Sequence, residues 1–365
     1  PFGLNGSIRY TYSHGYGLWG YRDLNLDESK VFLLGNEGRP FFGDLSAIVP
    51  STGAVSMASS RRHAAFGHVL DVASDRQSSA HQVTLQASGR VSPRVMVNAN
   101  YTLLFSRDQG SGSFAGVPTA GTPNEAEWAA SSNDRRHTLN LVVGYAVTPE
   151  FEVTALGRIS SGLPFTPLVD RDINGDGARN DRAFVFDPAT VADTAVAAGM
   201  RRLLATVPGR IRACLESQFG RIAERNSCRD GWTQTLDLRA SLRPNLPGLE
   251  RRLTISIDTR NALTALDRLI HGSAGMKGWG EGRRADATLL EVRGFDPETR
   301  SFRYAVNEGF GQARRGPNAF RNPFSITISA RVAIGGQPFL TNRGFGDGPV
   351  AGMGPRRGGG GGRAL

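Results

Sequence analysis

The chain has 365 residues, of which 39% are hydrophobic, with 46 glycines, 19 prolines and a formal net charge of +10. That is too apolar for a disordered chain and too rich in glycine for a helical bundle. No run of eighteen apolar residues occurs, which excludes a membrane-spanning helix. The surplus charge is arginine scattered among acids, with no basic helix, zinc-ligand spacing or aromatic RNA-binding strand, so no nucleic-acid partner is expected.

The chain begins with Pro1 rather than Met and has no signal peptide, so it reads as a piece of a longer or processed chain. The first strand signal sets Ile8, Tyr10 and Tyr12 against Arg9, Thr11 and Ser13. A period of two gives one apolar and one polar face. Strands are also predicted over 83–91 and 95–105, joined by the tight turn "VSPRV". A long segment, 107–134, precedes a strand in which Leu139, Leu141, Val143 and Tyr145 oppose Thr138 and Asn140. The turn "VTPEFE" leads to Phe151, Val153, Ala155 and Ile159, which face away from Glu152, Thr154, Arg158 and Ser160.

The next segment, 164–231, is the longest connection and holds "DINGDG" at 172–177. Asp172, Asn174 and Asp176 alternate ahead of Gly177, the spacing of a calcium loop. Position twelve of such a loop falls on Ala183 where a bidentate Glu is needed, and Arg171, Arg179 and Arg182 bring positive charge close. Two readings stand. One is a weak, exposed calcium site, completed by Asp170, Asn180 and Asp181, with a dissociation constant on the order of 10⁻⁴–10⁻³ M. The other is a set of Asx and glycine turns. No other cofactor is expected. Residues 191–207 and 208–228 read as short helices, with Pro208 opening the second. Cys214 and Cys228, the only two cysteines, lie in a polar loop and are expected to form a disulfide in an oxidising compartment.

Leu236, Leu238, Ala240 and Leu242 then alternate with Thr235, Asp237, Arg239, Ser241 and Arg243. After the turn "RPNLPGLERR", Leu253, Ile255 and Ile257 alternate with Thr254, Ser256, Asp258 and Arg260. The long segment 263–322 contains His271, Trp279 and Glu281, but no nucleophile–base spacing and no HExxH motif. No enzyme is expected, and His271 is read as packed against Trp279. The last strand sets Phe324, Ile326, Ile328, Ala330, Val332 and Ile334 against Ser325, Thr327, Ser329, Arg331 and Ala333. Residues 1–335 form one unit, and the Gly/Arg-rich stretch 336–365 reads as a flexible tail.

Most of these runs reach ten residues, longer than the five or six of an average strand and close to the nine to eleven a tilted membrane-spanning strand needs. Short and long connections alternate, so the long ones all leave from one end of the sheet. The fold class predicted is all-β: antiparallel transmembrane β-barrel strands, the C-terminal portion of a large barrel, with long external loops and short loop helices. Arg158, Asp237, Arg239, Asp258, Arg260 and Arg331 would face a wet lumen, because an arginine on the lipid face costs about 2–4 kcal/mol at mid-depth. Tyr101, Phe105, Tyr145, Phe151, Trp232 and Phe324 would supply interfacial girdles. The expected location is the outer membrane, in contact with its lipid, with the long loops extracellular.

With the strands placed, the loop motifs resemble those of the Oar-like TonB-dependent outer-membrane transporters. The residues that carry the likeness include "YRDLNLDE" (21–28), "SDRQSSAHQVTLQ" (74–86), "SGLPFTP" (161–167), "DINGDGARNDRAFVFDP" (172–188), "HGSAGMKGWG" (271–280), "YAVNEGFG" (304–311) and "RNPFSITISARV" (321–332). The resemblance implies a 22-stranded barrel closed around an N-terminal plug, of which this chain supplies the C-terminal third. It also implies import of a bulky, scarce solute, powered by the TonB system through a plug upstream of Pro1. An adhesion barrel whose loops act without transport and a plain diffusion porin are the competing expectations.

Overall fold

Alternating sequences become eight long strands. They are β1 (Gly3–Asp23), β2 (Leu70–Ser92), β3 (Val95–Asp108), β4 (His137–Ala146), β5 (Phe151–Ser160), β6 (Thr233–Leu242), β7 (Leu253–Arg260) and β8 (Ser325–Val332). The computed structural model describes residues 3–110, 112–249, 252–280, 284–312 and 324–334. The tail expected over 336–365 lies outside the described residues. Each strand pairs antiparallel with the next, in the order β1 to β8, and β1 and β8 are the two edges of an open sheet. Ten residues at about 3.4 Å each, tilted by roughly 40°, rise about 26 Å, close to the apolar height of a membrane barrel.

Register turns eight separate alternations into two continuous faces. Ile8 pairs with Leu85, Leu85 with Tyr101, Tyr101 with Leu139 and Leu139 with Ile159, a row of apolar side chains across five strands. One step along, on the opposite face, Ser7, Gln86, Asn100, Asn140, Arg158 and Thr235 are matched in the same way. A slip of one residue anywhere would send charge to the apolar side, so the pattern itself holds the register. The polar face also carries apolar exceptions, Met96, Val142 and Leu156. β1 and β2 run well past their neighbours, and the upper part of that ribbon is bent by irregularities between Gly15 and Gly20.

The sheet contributes nothing to the main hydrophobic core. Every buried member of that core lies in a long connection: Leu34, Phe41 and Ile48 in the first (24–69), residues from Val169 to Cys228 in the third (161–232), and Leu289 to Phe310 in the fourth (from 261). The third and fourth are joined by a small sheet, in which Leu168 pairs parallel with Thr288, and Thr288–Asp296 pairs antiparallel with Ser301–Val306. Two helices fill the same core. In α1 (Thr194–Thr206) the N-cap Asp193 accepts from the backbone N–H groups of Ala195 and Val196, and Val196, Met200 and Leu203 form the buried stripe. Pro208 then precedes α2 (Gly209–Glu216), which buries Ile211 and Leu215. A third helix, α3 (Ala262–Gly275), opens the fourth connection and was not anticipated from the sequence. It buries little besides Ala262 and Asp267, and its apolar side chains Leu266, Leu269 and Ile270 stay exposed.

Candidate functional site

The chemistry-bearing side chains converge in the long connections. The loop predicted to bind calcium is wound around its own acids. Asp172 accepts from the backbone N–H groups of Asn174, Gly175 and Gly177, at 3.1, 2.7 and 2.8 Å. Asn174 Oδ1 accepts from the Asp176 N–H, and Asp176 Oδ1 from that of Ala178. Asn174 Nδ2 donates to the Gly121 carbonyl and to Asp176 Oδ2. Glycine is required at 175: φ is +80°, and a Cβ there would meet the Phe42 carbonyl oxygen at 2.3 Å.

These residues are not at an exposed site, as expected from the sequence, but in the interior: Asn174, Asp176 and Asp181 are fully buried and Asn180 nearly so. Nor are the neighbouring arginines their main counter-charges, since Arg182 pairs with Glu127 at 2.7 Å and Arg171 leans on Asp170. The cations come from the first connection. Arg39, with no exposed surface, bonds Glu37 at 2.9 Å, Asp181 at 3.2 Å, and the carbonyl oxygens of Ala120 and Arg182. The Tyr304 hydroxyl donates to the other oxygen of Glu37. Arg61 bridges Asp23 and the Asp176 carbonyl. This hub therefore ties the first, second, third and fourth connections together. No local motif could have found it, because Arg39 and Asp181 are 142 positions apart.

Around the hub Asp23, Glu37, Asp172, Asp176 and Asp181 outnumber Arg39 and Arg61, so negative charge is in excess. Burial, together with the Asp172 charge, pushes the Asp176 carboxyl up to about 7. Burial also raises Asp181 well above its ordinary value, against the pull of Arg39, and raises Asp172 against its backbone hydrogen bonds. All six carboxylate oxygens of Asp172, Asp176 and Asp181 accept at least one hydrogen bond. Among the described residues no group of three or more His, Cys, Asp or Glu side chains is placed to hold a metal ion. Asn180 donates to the carbonyls of Val117 and Phe114 and leaves its own oxygen unpaired. The hydrogen bonds within the loop are those of Asx and glycine turns.

Cys214 and Cys228 are joined, with Cα atoms 5.5 Å apart. The bond ties α2 to the short strand Cys228–Arg229, which pairs with Pro164–Phe165 just above β5. His271 stands edge-on to Trp279 at 5.2 Å and bonds Asp267, 2.8 Å away. Against the cost of burial, the N–H groups of Lys277, Trp279 and Gly278 and the His271 ring bring the Asp267 carboxyl down to about 2. This is a closed turn, with Asp267 spent on holding the end of α3.

A family model described as "Outer membrane beta barrel domain" matches residues 1–263. The chain belongs to that family. No curated protein matches it. Among solved structures, the outer membrane transporter YddB from Escherichia coli is 10% identical, with a TM-score of 0.35 over 72% of this chain and 26% of the other. The chain thus spans about a quarter of that transporter's length.

As an outer-membrane barrel domain, the chain has its apolar sheet face against the bilayer, which explains why side chains such as Ile8 and Ile328 stand 74% and 72% exposed. No described helix is long and apolar enough to cross a membrane, and the crossing is made by strands. Aromatic residues gather at both ends of the apolar face, with Tyr101, Phe105 and Trp232 towards the long connections and Tyr145 and Phe151 at the short turns. Tyr101 bonds His137, and His137 stacks on Trp232 at 5.6 Å. The register places all six charged residues, Arg158, Asp237, Arg239, Asp258, Arg260 and Arg331, on the opposite face. There Arg239 and Asp258 form an ion pair at 2.5 Å.

Proposed function

We propose that this chain is the C-terminal part of the barrel of an Oar-like, TonB-dependent transporter that imports a bulky, scarce solute. The observation that supports it best is the folded assembly of the long connections. A diffusion porin needs an open mouth, whereas here three connections share one hydrophobic core and a buried Arg39 hub. Ordered connections of this kind suit a receptor that recognises a solute before admitting it. On this proposal they face the cell exterior, the polar sheet face lines the interior, and energy arrives through a plug upstream of Pro1. There is no catalytic step, and His271 serves α3. A loop-based binding or adhesion barrel shares the same ordered connections and differs only in lacking coupling.

The test uses the full-length parent protein in liposomes and in detergent. Capture by the periplasmic domain of TonB, together with no passive sugar flux in liposome swelling, is the expected result. Free sugar flux without TonB capture would make it a porin. A tight protein with neither property would make it a binding barrel.

A further inference from the structure

A cavity of about 260 Å³ opens between the third and fourth connections, with Asn36 of the first at its edge, and it borders the Arg39 hub through Tyr304, whose hydroxyl donates to Glu37. Its wall is a run of aromatic rings in mutual contact. Phe184 meets Phe186 at 4.9 Å between centroids, Phe186 meets Tyr304 at 5.9 Å, and Tyr304 meets Phe302 at 6.3 Å. The remaining lining is apolar or neutral except for two acids, Asp187 and Asp193. In a chain with ten more basic than acidic residues, no Lys, Arg or His among the described residues lines this cavity. Neither acid has an ion-pair partner among the described residues. One oxygen of Asp187 accepts from the Ala189 N–H, and one of Asp193 caps α1. The second oxygen of each has no donor among the described residues.

Aromatic faces carry negative potential, and an ammonium over them is held by the ring quadrupole, more strongly as water is excluded. A half-buried carboxylate beside such rings adds a charge-assisted contact and repels anions. The volume falls below the roughly 300–1,000 Å³ of drug-sized sites, so it admits one compact group. We propose that this cavity is a recognition site for an organic ammonium group on a short apolar body, with Asp187 as its counter-ion and Phe184, Phe186 and Tyr304 as its cage. The cation is either a free small amine or the basic side chain of a peptide, since both present the same group. Binding here does not depend on whether the barrel transports, so the two proposals fail separately.

The experiment is ligand-observed NMR and calorimetry on the full-length protein in detergent. The probes are choline, its neutral carbon isostere 3,3-dimethylbutan-1-ol, and Nα-acetyl-lysine amide. Choline is expected to bind at least tenfold more tightly than the isostere. Asp187→Asn should weaken it about tenfold or more, and Phe184→Leu several-fold. Heat-modifiable migration on gels shows that each variant is folded, and the unaltered affinity expected of Arg212→Gln, on the exposed face of α2, controls for surface charge. Tighter binding of the lysine amide than of choline would identify a peptide as the source, and the reverse a free amine. Equal binding of choline and its isostere, or an Asp187→Asn protein that binds choline unchanged, would overturn the assignment. So would an absence of binding by both cations at 100-millimolar-scale concentrations, above the dissociation constant of roughly 30 mM that a single desolvated cation–π contact gives.

Discussion

The sheet and the loop assembly of this barrel domain obey opposite rules. In the sheet, hydrophobic residues lie on the exposed lipid face and charges on the opposite face, and the main buried core contains no residue from any of the eight strands. In the long connections, Phe41, Met200, Leu203, Leu289 and Phe295 are buried against one another, as in a water-soluble protein, while Leu33, Phe66, Leu269 and Ile270 stay exposed. One chain thus folds against two solvents. Lipid stabilises the first region, and the hydrophobic effect in water the second. The loops can be long because they pay for their own order, and a mouth built this way holds a fixed shape.

Substitutions should divide along that line. The largest effect is expected from Arg39→Ala, which leaves Glu37 and Asp181 buried without their partner and should cost about 3–5 kcal/mol. Limited proteolysis should show new cuts near 35–43 and 170–182, while the sheet keeps its heat-modifiable migration. Loss of the folded barrel in that variant would mean that the two regions fold as one. The reciprocal change is Leu141→Arg, at the middle of β4 on the lipid face, with an expected cost of about 2–4 kcal/mol. It should impair insertion into lipid vesicles, whereas Asn140→Arg, one residue away on the polar face, should insert normally.

A smaller effect should follow from reducing the Cys214–Cys228 bond, which closes a loop of about 15 residues and is worth up to about 3 kcal/mol in the chain-entropy model. Non-reducing peptide maps should recover the linked pair, and reduction should expose 208–230 to protease without altering the sheet. The smallest concerns pH. The Asp176 carboxyl is raised from its ordinary 3.8 to about 7, so the folded loop binds more protons than the unfolded one between those values. Its contribution therefore favours the folded loop at low pH and is lost as pH rises through about 7. Protease resistance of 168–190 should fall from pH 5 to pH 8, and Asp176→Asn should flatten that slope. Millimolar calcium should leave the cleavage unchanged. Protection by calcium that vanishes in the variant would establish a metal site there.

The eight strands were legible because a two-residue period is a local signal, and a lipid-facing barrel enforces it over most of each strand, with Met96, Val142 and Leu156 as apolar exceptions on the polar face. Strand ends were less so: β1 and β2 extend far beyond the alternating stretches at Ile8 and 83–91, held by pairing to each other. The first predicted loop helix appears, trimmed by its cap at Asp193, whereas the second, expected over 208–228, ends at Glu216 and gives way to the short strands Arg221–Ile222 and Cys228–Arg229; the cysteines do meet. The "DINGDG" stretch was visible as a motif, but its burial was not. Whether an acid is a ligand or a turn residue depends on what covers it, and Arg39, Arg61 and Gly121 arrive from remote connections.

By itself, then, the sequence determined the sheet: the position of each strand, its facing and the side on which charges lie follow from alternation, because each strand meets lipid on one side only. Tertiary structure alone decided the loop core, the Arg39 hub and the aromatic cavity, whose walls are brought together from positions 36 to 304. Those contacts are long-range and aperiodic. Their energy comes from excluding water between segments that share no pattern, and the order of residues along the chain carries no direct record of it.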